Sequence, residues 1–187
     1  MQRYIIHLKN QNYSPKQANW LLNKARSLVS DIGVIVRDTR VATIHIEFDT
    51  SVPENNSIEE VIRRFTTISP LSEYEPIVEK RMEKHEAIMK AIDLFNDEKY
   101  WGAHEVLESV WKDALHEEKE LLNGIILIAA AFVHDEKDEP SICIAILSRA
   151  MKKLPKAEGL YFGMNLDEIK KRVLRIIETG KIERFSI

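Results

Sequence analysis

At 187 residues and 21.7 kDa, with 44% hydrophobic and 30% charged residues, the chain has the size of one domain or two small ones and the make-up of a globular protein. This excludes collagen-like, disordered and channel-forming classes. With 27 Lys and Arg against 30 Asp and Glu, the net charge of -3 supplies no field to gather nucleic acid or anionic lipid. The single cysteine, Cys143, cannot form an internal disulfide; it suits a reducing cytoplasm and removes every Cys-cluster metal site. The start MQRYIIHLKN lacks the apolar core of a secretory signal.

Residues 1–75 hold 9 basic and 9 acidic residues and mix period-2 with period-3.6 patterning. Residues 76–187 hold 18 and 21 and read as almost purely helical. The boundary falls in PLSEYEP, where Pro70 and Pro76 disfavour a continuous helix.

Tyr4, Ile6 and Leu8 alternate as a strand does. Ser14-Pro15 then supplies an N-cap and a first-turn proline for a helix. Its stripe is Ala18, Leu21, Leu22, Ala25, Leu28, Val29 and Ile32, ending at Gly33. Val34 to Arg37 and Val41 to Phe48 read as two strands around a turn at Asp38-Thr39-Arg40. Ala42, Ile44, Ile46 and Phe48 form one face of this hairpin, and Thr43, His45 and Glu47 a wet one. Ser57 and Glu60 form a capping box for a second helix made by Ile58, Val61, Ile62, Phe65 and Ile68, and a short strand follows at Leu71 to Glu75. Strand, helix, strand, strand, helix, strand is the order of the ferredoxin-like split βαβ arrangement, expected over residues 1–75. Thr43, His45 and Glu47 are poor platforms for stacking bases, which argues against an RNA-recognition module.

After Pro76, Val78, Met82, His85, Ile88, Met89, Ile92 and Phe95 line one side of an expected helix. A second helix runs from about Tyr100 to Leu115 and a third from about Glu118 to Val133. LLNGIILIAAAFV in the third is apolar all round, as a helix enclosed by neighbours is, and too short to span a bilayer. Pro140 starts a fourth, with Ile142, Ala145, Ile146, Ala150 and Leu154 inward, closed by Pro155. Asn165 caps a fifth that ends at Gly180. Residues 76–187 are therefore expected to be a helical bundle with a buried central helix, and the whole chain α+β.

The sharpest local feature is AHEVLESVWK, residues 103–112. On a helix His104 falls at the edge of the apolar arc of Val106, Leu107, Val110, Trp111 and Ala114. Glu108 lies one turn on, and Glu105 points farther toward solvent. A histidine and a carboxylate at i and i+4 can hold a divalent metal, with His134 as the additional ligand from elsewhere. The zincin helix reads His-Glu-x-x-His; here the second histidine is Glu108. The competing reading is a structural network in which His104 is held by Glu108 or a backbone carbonyl and Trp111 gives its N–H to a partner. That reading stands first, because buried polar groups need partners with or without a metal.

Residues 95–134, FNDEKYWGAHEVLESVWKDALHEEKELLNGIILIAAAFVH, resemble the core of the domain of unknown function 309 family. Phe95, Tyr100, His104-Glu105, Glu108, Trp111 and the helix bearing Gly124 fill its pattern, and a weaker likeness through ILSRAMKKL extends it to about residues 80–178. The resemblance implies an all-helical bundle around a buried central helix, with no established activity or cofactor. Two departures stand out: Glu98-Lys99 occupies a turn where the family usually has glycine, and EPSIC replaces an Asn-x-x-Gly-Ala segment.

RAMKKLPK (149–156) and KKRVLR (170–175) are basic, but helical spacing spreads their charges between apolar positions, as in a solvated face. Cys143, between Ile142 and Ile144, reads as an inert small hydrophobe. Phosphate loops and nucleophile elbows are absent from the sequence. Two functional classes follow. The first is a non-enzymatic cytoplasmic protein, self-associating or partner-binding, in which Trp101, His104, Glu105, Glu108 and Trp111 form a structural network or interaction groove. The second is a metal-dependent hydrolase with His104, Glu108 and His134 as ligands and Glu105 as general base.

Overall fold

In the computed structural model, which describes residues 1–78, 82–154 and 156–187, alternating apolar and polar residues make Gln2–Lys9 the first strand, β1. Ser14 opens a 3-10 turn at Pro15–Gln17, its N–H donating to Gln17 Oε1 (2.9 Å), and α1 follows over Ala18–Leu28. Then come β2 (Ile35–Val41), β3 (His45–Val52), α2 (Ile58–Phe65) and β4 (Leu71–Pro76). The four strands form one antiparallel sheet in the order β2-β3-β1-β4. The chain is α+β: this sheet with its helices, then a helical region. It divides into two units, Met1–Glu79 with Glu136–Asp138, and Lys80–Asp135 with Glu139–Ile187.

The hairpin turn lies four residues later than the polar run Asp38-Thr39-Arg40 suggests. Those three residues are in β2 and the turn is at 42–44, where Ala42 N–H donates to His45 O (3.0 Å) and Ile44 is 66% exposed. Charge pairing explains the shift. Arg40 sits opposite Glu47 in the ladder, and its Nε donates to Glu47 Oε1 (2.6 Å), so residues that resemble a turn find partners across the strands.

One face of the sheet is apolar. Ile6, Leu8, Val36, Val41, Ile46, Phe48 and Val52 pack with Leu21, Ala25, Val29, Val61 and Phe65 of α1, α2 and their ends. The opposite face, expected to be wet at His45 and Glu47, is buried there, together with His7, Arg40 and Asp49. Its charges neutralise one another: Arg3 clasps Asp49 with two hydrogen bonds (2.8 and 2.6 Å), and Glu47 lies between Arg40 and His7. The Glu136–Asp138 turn completes this unit, Val41 N–H donating to Glu136 O (3.0 Å) and Lys137 Nζ to Asp38 Oδ2 (3.1 Å).

Ser57 caps α2 by accepting from Glu60 N–H (3.2 Å). The reciprocal half of the capping box is replaced. The Glu60 carboxylate accepts from Arg63 and Arg64 instead, and those two guanidinium groups hold it down to about 2.

The second unit contains α3 (Lys84–Asn96), α4 (Tyr100–Trp111), α5 (His116–Asp135), α6 (Pro140–Lys153) and α7 (Leu166–Thr179). A two-stranded hairpin, β5 (Leu160–Tyr161) and β6 (Met164–Asn165), lies before α7. In α3 the inward set is Ala87, Ile88, Ala91 and Phe95; Val78, His85 and Met89 of the expected stripe are exposed. In α6 the inward set is Cys143, Leu147 and Ala150, followed by Leu154, while Ile142 and Ala145 face solvent. Rotating the stripe by one residue exchanges one apolar side chain for another, so composition alone does not set its phase. The expected stop at Pro155 lies outside the described residues. Asn165 Oδ1 accepts from Glu168 N–H (3.1 Å) to cap α7, which ends at Gly180 with φ +68°.

The central helix is α5, with Leu122, Ile125, Ile128, Ala129, Phe132 and Val133 buried. Gly124 lets α6 approach: a Cβ there would stand 2.5 Å from Leu154 Cδ2 and 2.6 Å from its Cγ. Leu154 is itself buried and has nowhere to retreat. Gly124→Ala is therefore expected to destabilise the protein by about 1–3 kcal/mol despite alanine's better helix propensity, and Leu154→Val in the same chain to recover part of the loss. Urea denaturation of the two variants measures both effects. Among the described residues, no helix is long and apolar enough to cross a membrane.

Candidate functional site

Helix α4 presents two neighbouring stripes. Tyr100, Ala103, Leu107 and Val110 are buried in the core, and Trp101, His104, Glu108 and Trp111, each one position on, are half-buried. Glu105 lies exposed beside them. Spacing of three and four residues stacks each set along one side of the helix. The core stripe is anchored by aromatic packing, Tyr100 meeting Phe95 and Phe132 with ring centroids 5.0 Å apart in both cases. That anchoring sets the rotation at which the second stripe emerges.

Within that stripe the His104 ring stacks on Trp101, the planes 8° apart and the centroids 5.5 Å. His104 Nδ1 is buried without a hydrogen-bond partner, and the nearest carboxylate oxygen paired with it, Glu105 Oε1, is 3.8 Å away. Ligand atoms of His104, Glu105 and Glu108 all lie within 4.8 Å of one another. Trp111 Nε1 is likewise buried without an acceptor, and Lys119 Nζ stands 4.8 Å from the centre of the Trp111 ring. Glu105, expected to stand apart as a base, thus lies among the donors.

His134 is elsewhere. It sits near the end of α5, and its Nδ1 is 2.5 Å from Glu139 Oε2, a partner five residues on in sequence. Cys143 is buried, and that burial, with Asp135 adding to it, pushes its thiol up to about 12, far from a reactive thiolate.

Two features have no counterpart in the residue-level reading. One is a cavity of about 690 Å³ lined by residues that include His116, Glu118, Leu121, Lys153, Tyr161 and Leu166. Lys152, Lys153 and Lys156 of the basic run line it and meet acids there: Lys153 pairs with Glu120 (3.0 Å), and Lys156 lies 3.9 Å from Glu117. Tyr161 donates its hydroxyl to Glu118 (2.8 Å), which Lys84 also pairs and holds below the usual carboxylate range. The other is the second His-Glu grouping among the described residues, His7, His45 and Glu47 on the sheet. Its signal in sequence is faint: three polar residues at alternate positions of two strands, about 40 residues apart.

No curated protein matches the chain. Among solved structures, a conserved hypothetical protein from Thermus thermophilus is similar at 28% identity, over 48% of this chain and 94% of that one, with a TM-score of 0.43. The α4 site lies within the C-terminal segment, residues 88–145, that matches the family described as Domain of unknown function (DUF309), where its residue pattern leads one to expect it.

Proposed function

We propose that the chain is a non-enzymatic binding protein of the cytoplasm whose helical half holds a divalent cation on α4, through His104, Glu105 and Glu108. The observation that carries this reading is the buried, unbonded Nδ1 of His104, with Glu105 Oε1 at 3.8 Å, in a group whose His104, Glu105 and Glu108 ligand atoms all lie within 4.8 Å of one another. A purely structural network would direct that nitrogen into a hydrogen bond with Glu108 or a carbonyl. One imidazole and two carboxylates suit borderline divalent ions such as zinc or manganese. Stacking on Trp101 holds the imidazole plane before the ion arrives. The first unit, with its strand order β2-β3-β1-β4 and two helices, supports a ferredoxin-like reading of residues 1–75 beside the helical 76–187. A protein partner or a second copy of the chain is the further ligand, supported by the exposed Leu115 and Leu160.

A second reading, a metal-dependent hydrolase, draws on the half-exposure of the α4 donors, since catalytic metals keep an open position. In it Glu105 serves as a ligand or as a base, but not as both at once. Elemental mass spectrometry of untagged protein, wild type and His104→Ala, tests the cation site. The expected result is a divalent ion near one per chain at this site, lost in His104→Ala and reduced at least tenfold in affinity by Glu108→Gln. An ion content unchanged by both substitutions, with only a lower melting temperature, would return His104 to a structural role.

A further inference from the structure

The charged face of the sheet carries a donor set of its own. Antiparallel pairing places His7 of β1 directly opposite Glu47 of β3, and His45, two residues before Glu47, on the same face diagonal to His7. The imidazoles of His7 and His45 meet edge to face with centroids 4.7 Å apart. His7 Nε2 stands 3.0 Å from Glu47 Oε2, and ligand atoms of all three residues lie within 4.8 Å of one another. Burial is nearly complete, at 3% exposure for His7 and 4% each for His45 and Glu47. His7 Nδ1 is buried without a hydrogen bond, with Glu73 Oε1 of β4 at 3.6 Å.

We propose that His7, His45 and Glu47 form a buried divalent transition-metal site clamping β1 to β3. Two imidazoles and one carboxylate are borderline donors, suited to zinc, iron(II), manganese or cobalt rather than to magnesium or calcium. Around one tetrahedral ion with metal–ligand bonds of ~2.1 Å, donor atoms stand ~3.4 Å apart, so side-chain shifts of up to about 1 Å bring the three donors to one centre.

The surroundings fit that role. Arg40, opposite Glu47 on the other side, pairs with Oε1 and leaves Oε2 directed toward the histidines, as an outer partner that orients a ligating carboxylate does. Around the three donors stand the carboxylates of Asp38, Asp49, Glu73 and Glu136 and the cations of Arg3, Arg40 and Lys137. Three protein donors leave one position for a further ligand, and the burial of all three withholds that position from bulk solvent, which favours a structural over a catalytic role.

This inference stands apart from the α4 site, and variants separate the two. Full-length protein stripped with chelator is titrated with cobalt(II) and followed by visible absorption, and its melting temperature is read with and without zinc. Wild type is expected to bind, besides the α4 ion that His104→Ala removes, a second ion that His104→Ala leaves in place and that His45→Gln weakens at least tenfold, with the zinc-induced rise in melting temperature reduced in His45→Gln. Cobalt binding in folded His45→Gln equal to wild type overturns the site. Should the variant fail to fold, the wild type decides alone: long-range 1H–15N spectra show the ring nitrogens of His7 and His45 shifting on zinc addition, and unmoved signals refute the proposal.

Discussion

Phe132→Ala is expected to lower stability by about 3–5 kcal/mol. Phe132 is completely buried in α5 and, like Phe95, meets three other rings of one aromatic group. Its ring meets Tyr100 at 5.0 Å, Phe185 at 5.5 Å and Phe95 at 5.9 Å between centroids, the last two edge to face. Truncation to Cβ removes dispersion contacts with all three and leaves a cavity that α3, α4 and the C-terminal segment bearing Phe185 cannot close together. Phe132→Leu, which keeps most of the volume, is expected to cost under about half as much. Guanidinium unfolding followed by circular dichroism measures both; equal losses would show that ring geometry rather than filled volume sets the energy.

Arg40→Met is expected to destabilise the first unit by a similar amount, about 3–5 kcal/mol, for a different reason. Arg40 and Glu47 are both buried and paired, and removing the guanidinium leaves an anion out of water with His7 as its principal remaining partner. Glu47→Gln in the same chain neutralises the stranded charge and is expected to restore part of the loss. The pH dependence has a definite sign. Glu47 is held at about 2 in the folded protein, below the ordinary carboxylate value of 4.5. Its contribution to stability is therefore fully present above pH 4.5 and fades as pH falls toward about 2. Wild type is expected to lose stability across that interval, and Arg40→Met to lose less. Denaturation midpoints between pH 2 and 6 test this, and parallel curves for the two proteins would assign the acid sensitivity to other carboxylates.

Much of the fold is legible in the residues. The alternation Tyr4-Ile6-Leu8, the caps Ser57 and Asn165, the stop at Gly180 and the all-apolar α5 mark their elements because each signal acts within one or two turns of chain. Position 98 shows the same local logic in altered form. Glu98 takes φ +58°, the left-handed conformation that favours glycine, at a cost of about 1 kcal/mol or more, and its carboxylate pairs with Arg184 (2.8 Å). The α4 stripe is legible too, since helical spacing alone brings Trp101, His104, Glu108 and Trp111 to one side.

Tertiary structure decides what local rules leave equivalent. Sequence marks two strands near residues 34–48, but only the Arg40–Glu47 pairing places the turn at 42–44. Sequence marks α6 as amphipathic, but only packing selects Cys143 and Leu147 over Ile142 and Ala145. Sequence offers His134 beside His104 and Glu108, and the fold groups Glu105 with those two and sets His134 Nδ1 against Glu139. It shows His45 and Glu47 on a polar face, whereas burial and the register with β1 turn that face into a paired-charge layer around His7. The physical reason is common to all four. Propensity and periodicity depend on neighbours a few residues away, whereas strand register and helix phase depend on partners tens of residues distant, chosen only when the whole core closes.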